Sequence, residues 1–331
     1  MKVLLHDDTP AYLCHGGKQV LADKLYGALR ELGIDVERAR WWDPDQQGDL
    51  LHSFGCSPSL VAMAHQAGVR VVLTHIVDEM ANSTPSRRRR QRARNGAIRR
   101  LAPAPIRRLF PWHVLPSIDR LVYINQADAD TAISTYGIPR DRTDVIPHGC
   151  SAADIERLGL GPRSAASYLV SVGSIVPRKN TVVLARAARR ARVPIVFLGK
   201  AFRDDDPYFE EFTSLVDDEN VLYPGHVSEE EKTAWLVGAS GFVLPSRAES
   251  GCIAVYEAAA AGLPMLLSDR PWARAYGDRP SLHFVEPTED ELAERLEPFF
   301  GTSQRLDEPT FPVTTWEDIA RRYVAVYERA L

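Results

Sequence analysis

Two glutamates stand eight positions apart in the segment SRAESGCIAVYEAAAAGLP, residues 246–264, whose other residues are mostly small or apolar. An alanine-rich helix of this kind is expected to be buried, and a buried carboxylate is costly unless something pairs with it. A carboxylate can accept two hydrogen bonds from a vicinal diol. Glu257 is therefore a candidate for binding a nucleotide ribose, and Glu249 for binding sugar hydroxyls. The alternative is one acid that favours the helix dipole and one surface acid.

The position of Glu249 follows from the elements expected around it. GFVLPS, residues 241–246, predicts a strand, RAES a turn, and the next helix is expected to begin near Gly251. Glu249 would then lie at the carboxyl end of a strand, where open α/β sheets bind ligands. The first turn of a helix carries backbone amides without intrahelical partners. The amides expected to be free here belong to Ser250, Gly251, Cys252 and Ile253.

Two adjacent cations occupy a similar position earlier in the chain. SVGSIVPRKN, residues 171–180, places Arg178 and Lys179 between a predicted strand and the helix that follows it. Cations at a helix N-terminus oppose the helix dipole, so an anion beside them is physically sensible. The pair is a candidate diphosphate clamp. The alternative is a basic loop at a helix start.

The N-terminal half offers two weaker candidates. Gly16 and Gly17 follow the first predicted strand and open a helix, where backbone amides attract phosphate and glycine permits close approach. The full GxGxxG pattern is absent, which disfavours a dehydrogenase, and a plain turn is the alternative. His75 ends the strand VRVVLTHI, where it would orient an acceptor hydroxyl or move a proton. A purely structural histidine is the alternative.

An arginine-rich stretch is the most uneven feature of the charge distribution. Between Met80 and Ile118 there is no acidic residue, while ten arginines lie in the segment Arg87–Arg108. One interpretation is a solvated helical face with a loop, and the other is a surface for an anionic partner such as phospholipid headgroups. The prolines in this stretch argue against one long amphipathic helix. They are Pro103, Pro105, Pro111 and Pro116.

Strand-length apolar runs alternate with helical patterns along almost the whole chain, which predicts an α/β fold with parallel sheets. Residues 151–167, rich in Ala, Gly and Ser, are interpreted as a linker. The sequence thus predicts two Rossmann-like, doubly wound domains that face each other across a cleft, residues 1–150 and 151–314. An amphipathic final helix is predicted at 315–331.

Composition narrows the class of protein. The 331 residues carry a formal net charge of −4, which gives no indication of nucleic-acid binding. Four scattered cysteines without a CxxC pair indicate neither a disulfide framework nor a zinc site, so we expect a cytoplasmic protein. The apolar run at the N-terminus is too short for a signal peptide, and no run reaches the roughly 20 residues of a membrane span. Peripheral attachment at the inner face of the membrane, through the arginines, is a further hypothesis.

The second half of the chain resembles the retaining GT-B glycosyltransferases of family 4. The resemblance rests on an ordered set: VSVGSIVPRKN, then GHVSEEEKTAWLVGASGFVLPS, then Glu249 to Glu257 followed by AAAAGLP. The first half is similar only through the Gly-Gly turn and the strand that ends in Thr74-His75.

The resemblance implies a nucleoside-diphosphate sugar as donor, bound mainly by the second domain. Glu257 would bind the ribose, Glu249 and the amides of residues 250–253 the sugar and phosphate, and Lys179 the leaving diphosphate. His226 and Val227, with Gly225, would flank the base through backbone contacts. The acceptor would lie near His75 on the first domain, and the last helix would cross back to that domain. The expected reaction needs neither a metal nor a cofactor besides the sugar nucleotide.

Two departures from the family pattern bear on the donor. The family usually has Gly-Arg where this chain has Gly173-Ser174, so one phosphate cation is missing, and Arg178 is a candidate to replace it. The usual Glu-Gly-Phe-Gly run is Glu249-Ser250-Gly251-Cys252 here, which alters the expected sugar pocket. Two rival functions stay open. One is a non-catalytic nucleotide-sugar-binding protein, and the other is an epimerase or phosphorylase on the same fold.

Overall fold

The computed structural model describes residues 1–9, 16–55, 57–159 and 167–331. The chain divides into two compact units. Unit 1 comprises Met1–His148 together with Trp316–Leu331, and unit 2 comprises Gly149–Thr315. Among the described residues, no helix is both long and apolar enough to cross a bilayer.

Unit 1 contains a parallel sheet covered by helices. Its strands are β1 (Lys2–His6), β2 (Asp35–Arg38), β3 (Leu50–Ser53), β4 (Arg70–Thr74), β5 (Arg120–Tyr123) and β6 (Thr143–Val145). Its first helices are α1 (Gly17–Glu31), α2 (Pro58–Gln66), α3 (Asp78–Ala81), α4 (Pro85–Leu101), α5 (Ala104–Arg107) and α6 (Gln126–Tyr136). Over the described residues the strands are ordered β2-β1-β3-β4-β5-β6, and neighbouring strands pair in parallel.

Unit 2 repeats the architecture. Its strands are β7 (Leu169–Val172), β8 (Ile195–Leu198), β9 (Val221–Gly225), β10 (Gly241–Leu244), β11 (Met265–Ser268) and β12 (Leu282–Val285). Its helices are α7 (Ala152–Gly159), α8 (Thr181–Ala191), α9 (Pro207–Thr213), α10 (Glu229–Gly238), α11 (Ile253–Ala260), α12 (Pro271–Arg274) and α13 (Glu289–Thr302). The strand order is β12-β11-β10-β7-β8-β9. β8, β10 and β11 are buried at every position, as expected for parallel strands covered on both faces.

The final helix, α14 (Trp316–Ala330), belongs to unit 1, although unit 2 separates it in sequence from the rest of that unit. Its apolar stripe packs against α1 and β4. Ile319, Tyr323, Val326 and Tyr327 of this stripe are fully or almost fully buried. The helix therefore completes the core of unit 1.

The interpretation of residues 151–167 as a linker was wrong in part. Part of the supposed linker forms the helix α7, whose Leu158 is buried, and residues 160–166 of the linker lie outside the described residues. The prolines divide the arginine-rich stretch as expected, since the 17-residue helix α4 ends at Leu101 and Pro103 lies between it and the short helix α5. Pro85 stands in the first turn of α4, where proline is tolerated, and the Thr84 side chain caps the helix.

Candidate functional site

The buried carboxylate of Glu249 is held by two cations. Arg178 Nη1 lies 2.7 Å from Glu249 Oε2, and Lys179 Nζ lies 2.7 Å from Glu249 Oε1. The Glu249 side chain is only 5% exposed and that of Lys179 only 9%. The contact follows from the sheet, because β7 and β10 are neighbours and the segments after them carry the cations and the acid. The structure thus brings together three of the predicted catalytic residues.

The charges in this cluster reinforce one another. Burial opposes ionisation of Glu249, but the cations of Lys179 and Arg178 outweigh it and hold the pKa of the carboxyl below its usual value. Burial likewise acts against the charge of Lys179, yet the neighbouring Cys252 sulfur and Glu249 raise its pKa. Cys252 Sγ lies 3.5 Å from Lys179 Nζ, and burial raises the pKa of this thiol. Because both cations already have a carboxylate partner, a phosphate bound here would share them with Glu249.

Glycines allow the backbone to come close beside Lys179. Gly173, directly after β7, has a φ of +156°, and a Cβ atom there would lie 3.1 Å from Lys179 Cε. A Cβ on Gly199 would lie only 2.1 Å from the carbonyl oxygen of Gly173, so glycine is required at that position. Ser174 is partly exposed beside them. The tight packing fixes the path of the segment that leads to the two cations.

Asn180 fixes the same segment from its other end. It has a left-handed backbone, with a φ of 62°, and precedes α8. Its buried side chain donates from Nδ2 to the carbonyl of Pro287 at 2.9 Å and accepts from Arg247 Nε at 3.2 Å. Arg178 also donates from Nη1 to the carbonyl of Ala248 at 2.7 Å. The cations and the Glu249 loop are therefore joined by backbone contacts as well as by charge.

The expected row of free amides after Glu249 is wrong in part. α11 begins at Ile253, two residues later than predicted. The amide of Cys252 donates to Tyr276 Oη at 3.4 Å, so it is not free. No side chain caps the helix at Cys252, and Ser250 and Gly251 lie in the turn that precedes it. The sequence contained no signal for the Tyr276 contact, because that residue lies on a separate segment after α12.

Glu257 lies on α11 in a different environment. Six of the eight helix residues are buried, and the Glu257 side chain is 12% exposed. Its Oε1 accepts a hydrogen bond from Lys232 Nζ at 2.8 Å, and the same ammonium contacts Glu229 Oε2 at 2.7 Å. Burial raises the pKa of Glu257, against the opposing attraction of Lys232. Lys232, on α10, is a site residue that the sequence analysis missed.

The remaining candidates of unit 2 lie at the carboxyl end of β9. His226 is exposed and Val227 is half-buried, and both precede the N-cap of α10. Ser228 and Glu231 form a capping box at the start of α10, since their side chains each accept a hydrogen bond from the other's backbone amide. The acidic run at Asp204–Asp206 is a helix start, as Asp206 caps α9 and Asp205 pairs with Arg203.

On unit 1, His75 directly follows β4. Its Nδ1 lies 3.1 Å from Tyr123 Oη, and the two rings meet edge to face. Desolvation lowers the pKa of His75 to about 4, so the imidazole is neutral at neutral pH. In this state it offers one donor and one acceptor to a hydroxyl rather than a positive charge.

Gly16 and Gly17 are at the start of α1, with Gly16 as N-cap and no side-chain cap. Close by, Lys18 Nζ pairs with both Asp7 and Asp8 at 2.7 Å. Two carboxylates beside the turn disfavour an anion there, which makes this the weakest of the predicted phosphate contacts.

A buried polar network on unit 1 was also missed. His52 Nδ1 lies 2.7 Å from Tyr327 Oη, and His52 Nε2 lies 2.8 Å from Thr74 Oγ1. Tyr323 Oη adds a contact of 3.2 Å to the same threonine. Desolvation lowers the pKa of His52 to about 3. The network joins β3 and β4 to α14, and Thr74 is the residue immediately before His75.

The arginines of α4 are arranged around a packed inner face. Asn95 is buried and donates to the carbonyl of Thr135 on α6 at 3.0 Å, and Arg99 donates to the carbonyl of Tyr136 at 2.7 Å. Arg88, Arg89 and Arg92 line a groove of about 350 Å³ between α4 and α6. Among the described residues, no acidic side chain forms an ion pair with any arginine of α4.

The comparison that identifies the fold family concerns the second half of the chain. Residues 155–304 match the family described as glycosyl transferases group 1. This range includes Arg178, Lys179, Glu249 and Glu257.

Residues 155–304 are thus similar to glycosyl transferases group 1.

Curated relatives extend the group 1 likeness into unit 1. A D-inositol 3-phosphate glycosyltransferase of Nocardia farcinica is 29% identical over 244 residues, which is 67% of this chain and 51% of the relative. A protein of the same name from Pseudarthrobacter chlorophenolicus is 24% identical over 266 residues, 75% of this chain and 61% of the relative. The match thus spans about half to three fifths of the length of these relatives.

Solved structures confirm the predicted GT-B fold. A sucrose-phosphate synthase from Thermosynechococcus elongatus superposes with a TM-score of 0.71, covering 99% of both chains at 16% identity. The Anabaena protein HepE, solved in complex with UDP-glucose, gives a TM-score of 0.65, covering 100% of this chain and 98% of that one at 15% identity. A glycosyltransferase from Rickettsia africae gives 0.69 at 11% identity, covering 99% and 98%.

Proposed function

We propose that the chain is a retaining glycosyltransferase that moves a sugar from a nucleoside-diphosphate sugar to an acceptor. The observation that carries this proposal is the arrangement at the carboxyl edge of the unit 2 sheet. A buried carboxylate, Glu249, is held by Lys179 and Arg178, and a second carboxylate, Glu257, lies two turns further along. The group 1 match and the names of the curated relatives support a glycosyl transfer.

The roles of the residues follow from their charges. As the sugar–phosphate bond breaks, negative charge develops on the departing diphosphate, and Lys179 and Arg178 stabilise it without a metal or cofactor. Glu249 holds the two cations in place and accepts hydrogen bonds from the sugar. Glu257 accepts hydrogen bonds from the ribose diol. No side chain is assigned as a covalent nucleophile, so the acceptor oxygen bonds to the anomeric carbon on the face from which the diphosphate departs. The leaving phosphate takes the acceptor's proton, and the anomeric configuration is retained.

The acceptor is proposed to bind unit 1 near His75. A neutral imidazole, hydrogen-bonded to Tyr123, orients an acceptor hydroxyl without adding charge. The acceptor class stays open among a glycan, a lipid and a small molecule, although the Nocardia farcinica relative is named for D-inositol 3-phosphate.

A donor screen tests this function. The purified chain is incubated with UDP-, GDP- and ADP-sugars, and thermal stabilisation and release of nucleoside diphosphate are followed. One donor is expected to stabilise the wild type, and Glu257→Ala is expected to abolish that stabilisation. Glu291→Ala, an exposed acid in the first turn of α13, serves as the matched control and should behave as wild type.

Each rival function gives a distinct result in the same screen. A non-catalytic nucleotide-sugar-binding protein would bind a donor but release no diphosphate with any acceptor offered, and the departure at Gly173-Ser174 favours testing this. An epimerase or phosphorylase would change the sugar without an acceptor hydroxyl. If no nucleotide or nucleotide sugar stabilises the wild type, the proposed donor site is refuted.

We also propose that α4 docks on an anionic membrane surface. Its arginines lack acidic partners among the described residues, and juxtamembrane Lys and Arg contribute about 1 kcal/mol each to binding of anionic lipid. Neutralising Arg89 and Arg92 to glutamine is therefore expected to weaken sedimentation with phosphatidylglycerol vesicles about thirtyfold at low salt. Arg279→Gln/Arg295→Gln, on exposed positions of unit 2, is the charge-matched control. Equal retention of both variants, or no retention of the wild type, would refute the docking surface.

A further inference from the structure

The contact between Lys232 and Glu257 joins two helices that are separate in sequence. Lys232 lies on α10 and Glu257 on α11, and their charged atoms are 2.8 Å apart. Both side chains are largely covered, with exposed fractions of 17% for Lys232 and 12% for Glu257. A lysine whose stem is covered while its ammonium reaches a carboxylate is held in one orientation. The contact therefore holds the Lys232 ammonium and the Glu257 carboxylate in a fixed position relative to each other.

The other charges around Glu257 work against its ionisation. The negative charges of Glu229, on α10, and Asp154, on α7, raise the pKa of the carboxyl, as burial does. Lys232 is the cation that opposes them. The Lys232 ammonium is shared with Glu229, whose side chain is 71% exposed and well solvated. Within the described residues, the ionised form of Glu257 thus depends on one partner.

We propose that Lys232 is a positioning residue for the diol-binding carboxylate of Glu257. The inference rests on the proposed function, since it assigns Lys232 to the site that binds the nucleoside diphosphate. Lys232 occupies one oxygen of the carboxylate, Oε1, and so leaves the other, Oε2, for the two hydroxyls of a ribose. It also keeps the carboxylate charged, and a charged acceptor forms the stronger hydrogen bonds.

The consequence is a pH dependence of nucleotide binding. A protonated Glu257 would donate one hydrogen and lose acceptor capacity, so affinity should fall as pH drops through the pKa of Glu257. Without the Lys232 charge, that pKa should rise further because burial and the two neighbouring acids act unopposed. A rise of about one pKa unit corresponds to a tenfold change in the ionisation constant.

Two measurements on the full chain test the role of Lys232. The first is a carboxyl-carbon NMR titration of protein labelled at its glutamate side chains, with Glu257→Gln assigning the resonance. The second is the affinity for the UDP, GDP or ADP that stabilises the wild type, measured from pH 5 to 9. The variants are Lys232→Met, which keeps the apolar stem, Lys232→Arg, which keeps the charge, and Lys24→Met, a control on an exposed lysine of α1.

Lys232→Met is expected to raise two pH midpoints together, by about one pH unit. One is the midpoint of the Glu257 titration, and the other is the midpoint of the pH dependence of nucleotide affinity. Lys232→Arg should restore most of the wild-type profile, and Lys24→Met should not change it. Unchanged midpoints in Lys232→Met, with nucleotide still bound, would overturn the role of Lys232 and leave the proposed function standing. A shifted carboxyl midpoint with no nucleotide bound by the wild type would instead refute the donor site.

Discussion

The two glutamates of the candidate site differ more in surroundings than their common segment indicates. Glu249 lies in a loop, almost fully covered, with cations from the segment that follows the neighbouring strand on both oxygens. Glu257 lies on a helix with one cation, which it shares with another acid. The pKa of Glu249 is below its usual value and that of Glu257 is above it. The same residue type is thus a fixed anion at one position and an adjustable one eight residues later.

The two glutamates therefore differ in what their charge affects. The charge of Glu249 affects the stability of the fold, and the charge of Glu257 affects ligand binding. The Glu249 carboxylate compensates a buried ammonium, so the folded state of unit 2 depends on its charge. The Glu257 carboxylate is held against its tendency to protonate, so its charge responds to neighbours and to ligands. Three changes test this distinction.

The largest expected effect is on folding. Glu249→Gln keeps the side-chain volume but leaves Lys179 buried without its anion, and we expect it to lower the free energy of unfolding by about 3–5 kcal/mol. Glu257→Gln, the matched change, should alter that free energy by less than about 1 kcal/mol, since Lys232 keeps Glu229. Urea denaturation followed by tryptophan fluorescence measures both. Equal losses in the free energy of unfolding would contradict the expected difference between the two glutamates.

The next effect is that the contributions of the two glutamates to folding stability change with pH in opposite directions. Because the folded pKa of Glu249 is lowered, its contribution to stability is present above the unfolded pKa and lost as pH falls through the folded value. The folded pKa of Glu257 is raised, so its contribution is present below the unfolded pKa and lost as pH rises through the folded value.

Denaturation curves between pH 3 and 8 check this. The stability deficit of Glu249→Gln should shrink towards acid, whereas Glu257→Gln should gain relative to wild type as pH rises. Parallel trends in both variants would contradict the opposite pKa directions.

The smallest effect concerns the element that carries Lys232. Ser228 accepts from the Glu231 amide in the capping box of α10, and Ser228→Ala should lower the free energy of unfolding by about 1 kcal/mol. Fraying of this first turn should loosen Glu229 and Lys232 and so change the Glu257 titration, but not that of Glu249. Ser214→Ala, at the exposed C-terminus of α9, is a matched control. A shift in the Glu249 titration would show that the two environments are coupled.

Local patterns predicted the elements well. The segment TVVLARAARRA has a helical spacing of apolar residues and forms α8. Ser228 and Thr288 cap α10 and α13, because capping signals act within one helical turn. The prolines of the arginine-rich stretch correctly predicted that no single helix would span it, since α4 ends at Leu101 and all four prolines lie beyond that residue. The helix α7 was missed because the Ala, Gly and Ser content of residues 151–167 is typical of a linker. The burial of a single apolar residue, Leu158, is enough to hold the helix against the rest of unit 2.

The sequence did not predict the contacts between distant segments. The meeting of Glu249 with Arg178 and Lys179 follows from strand order, in which β7 and β10 are adjacent. The partner of Glu257 is 25 positions away on another helix, and the partner of His52 is 275 positions away. Such pairs depend on how elements pack, which periodicity along one chain does not encode.

The placement of α14 reverses the order in which the two units can be completed during synthesis. Unit 2 is continuous from Gly149 to Thr315, so all of its residues leave the ribosome before residues 316–331 do. Unit 1 begins first, yet its His52 has no Tyr327 to bond until α14 emerges. Until α14 emerges, the sheet of unit 1 therefore leaves the surface that α14 later covers exposed to water and to other chains.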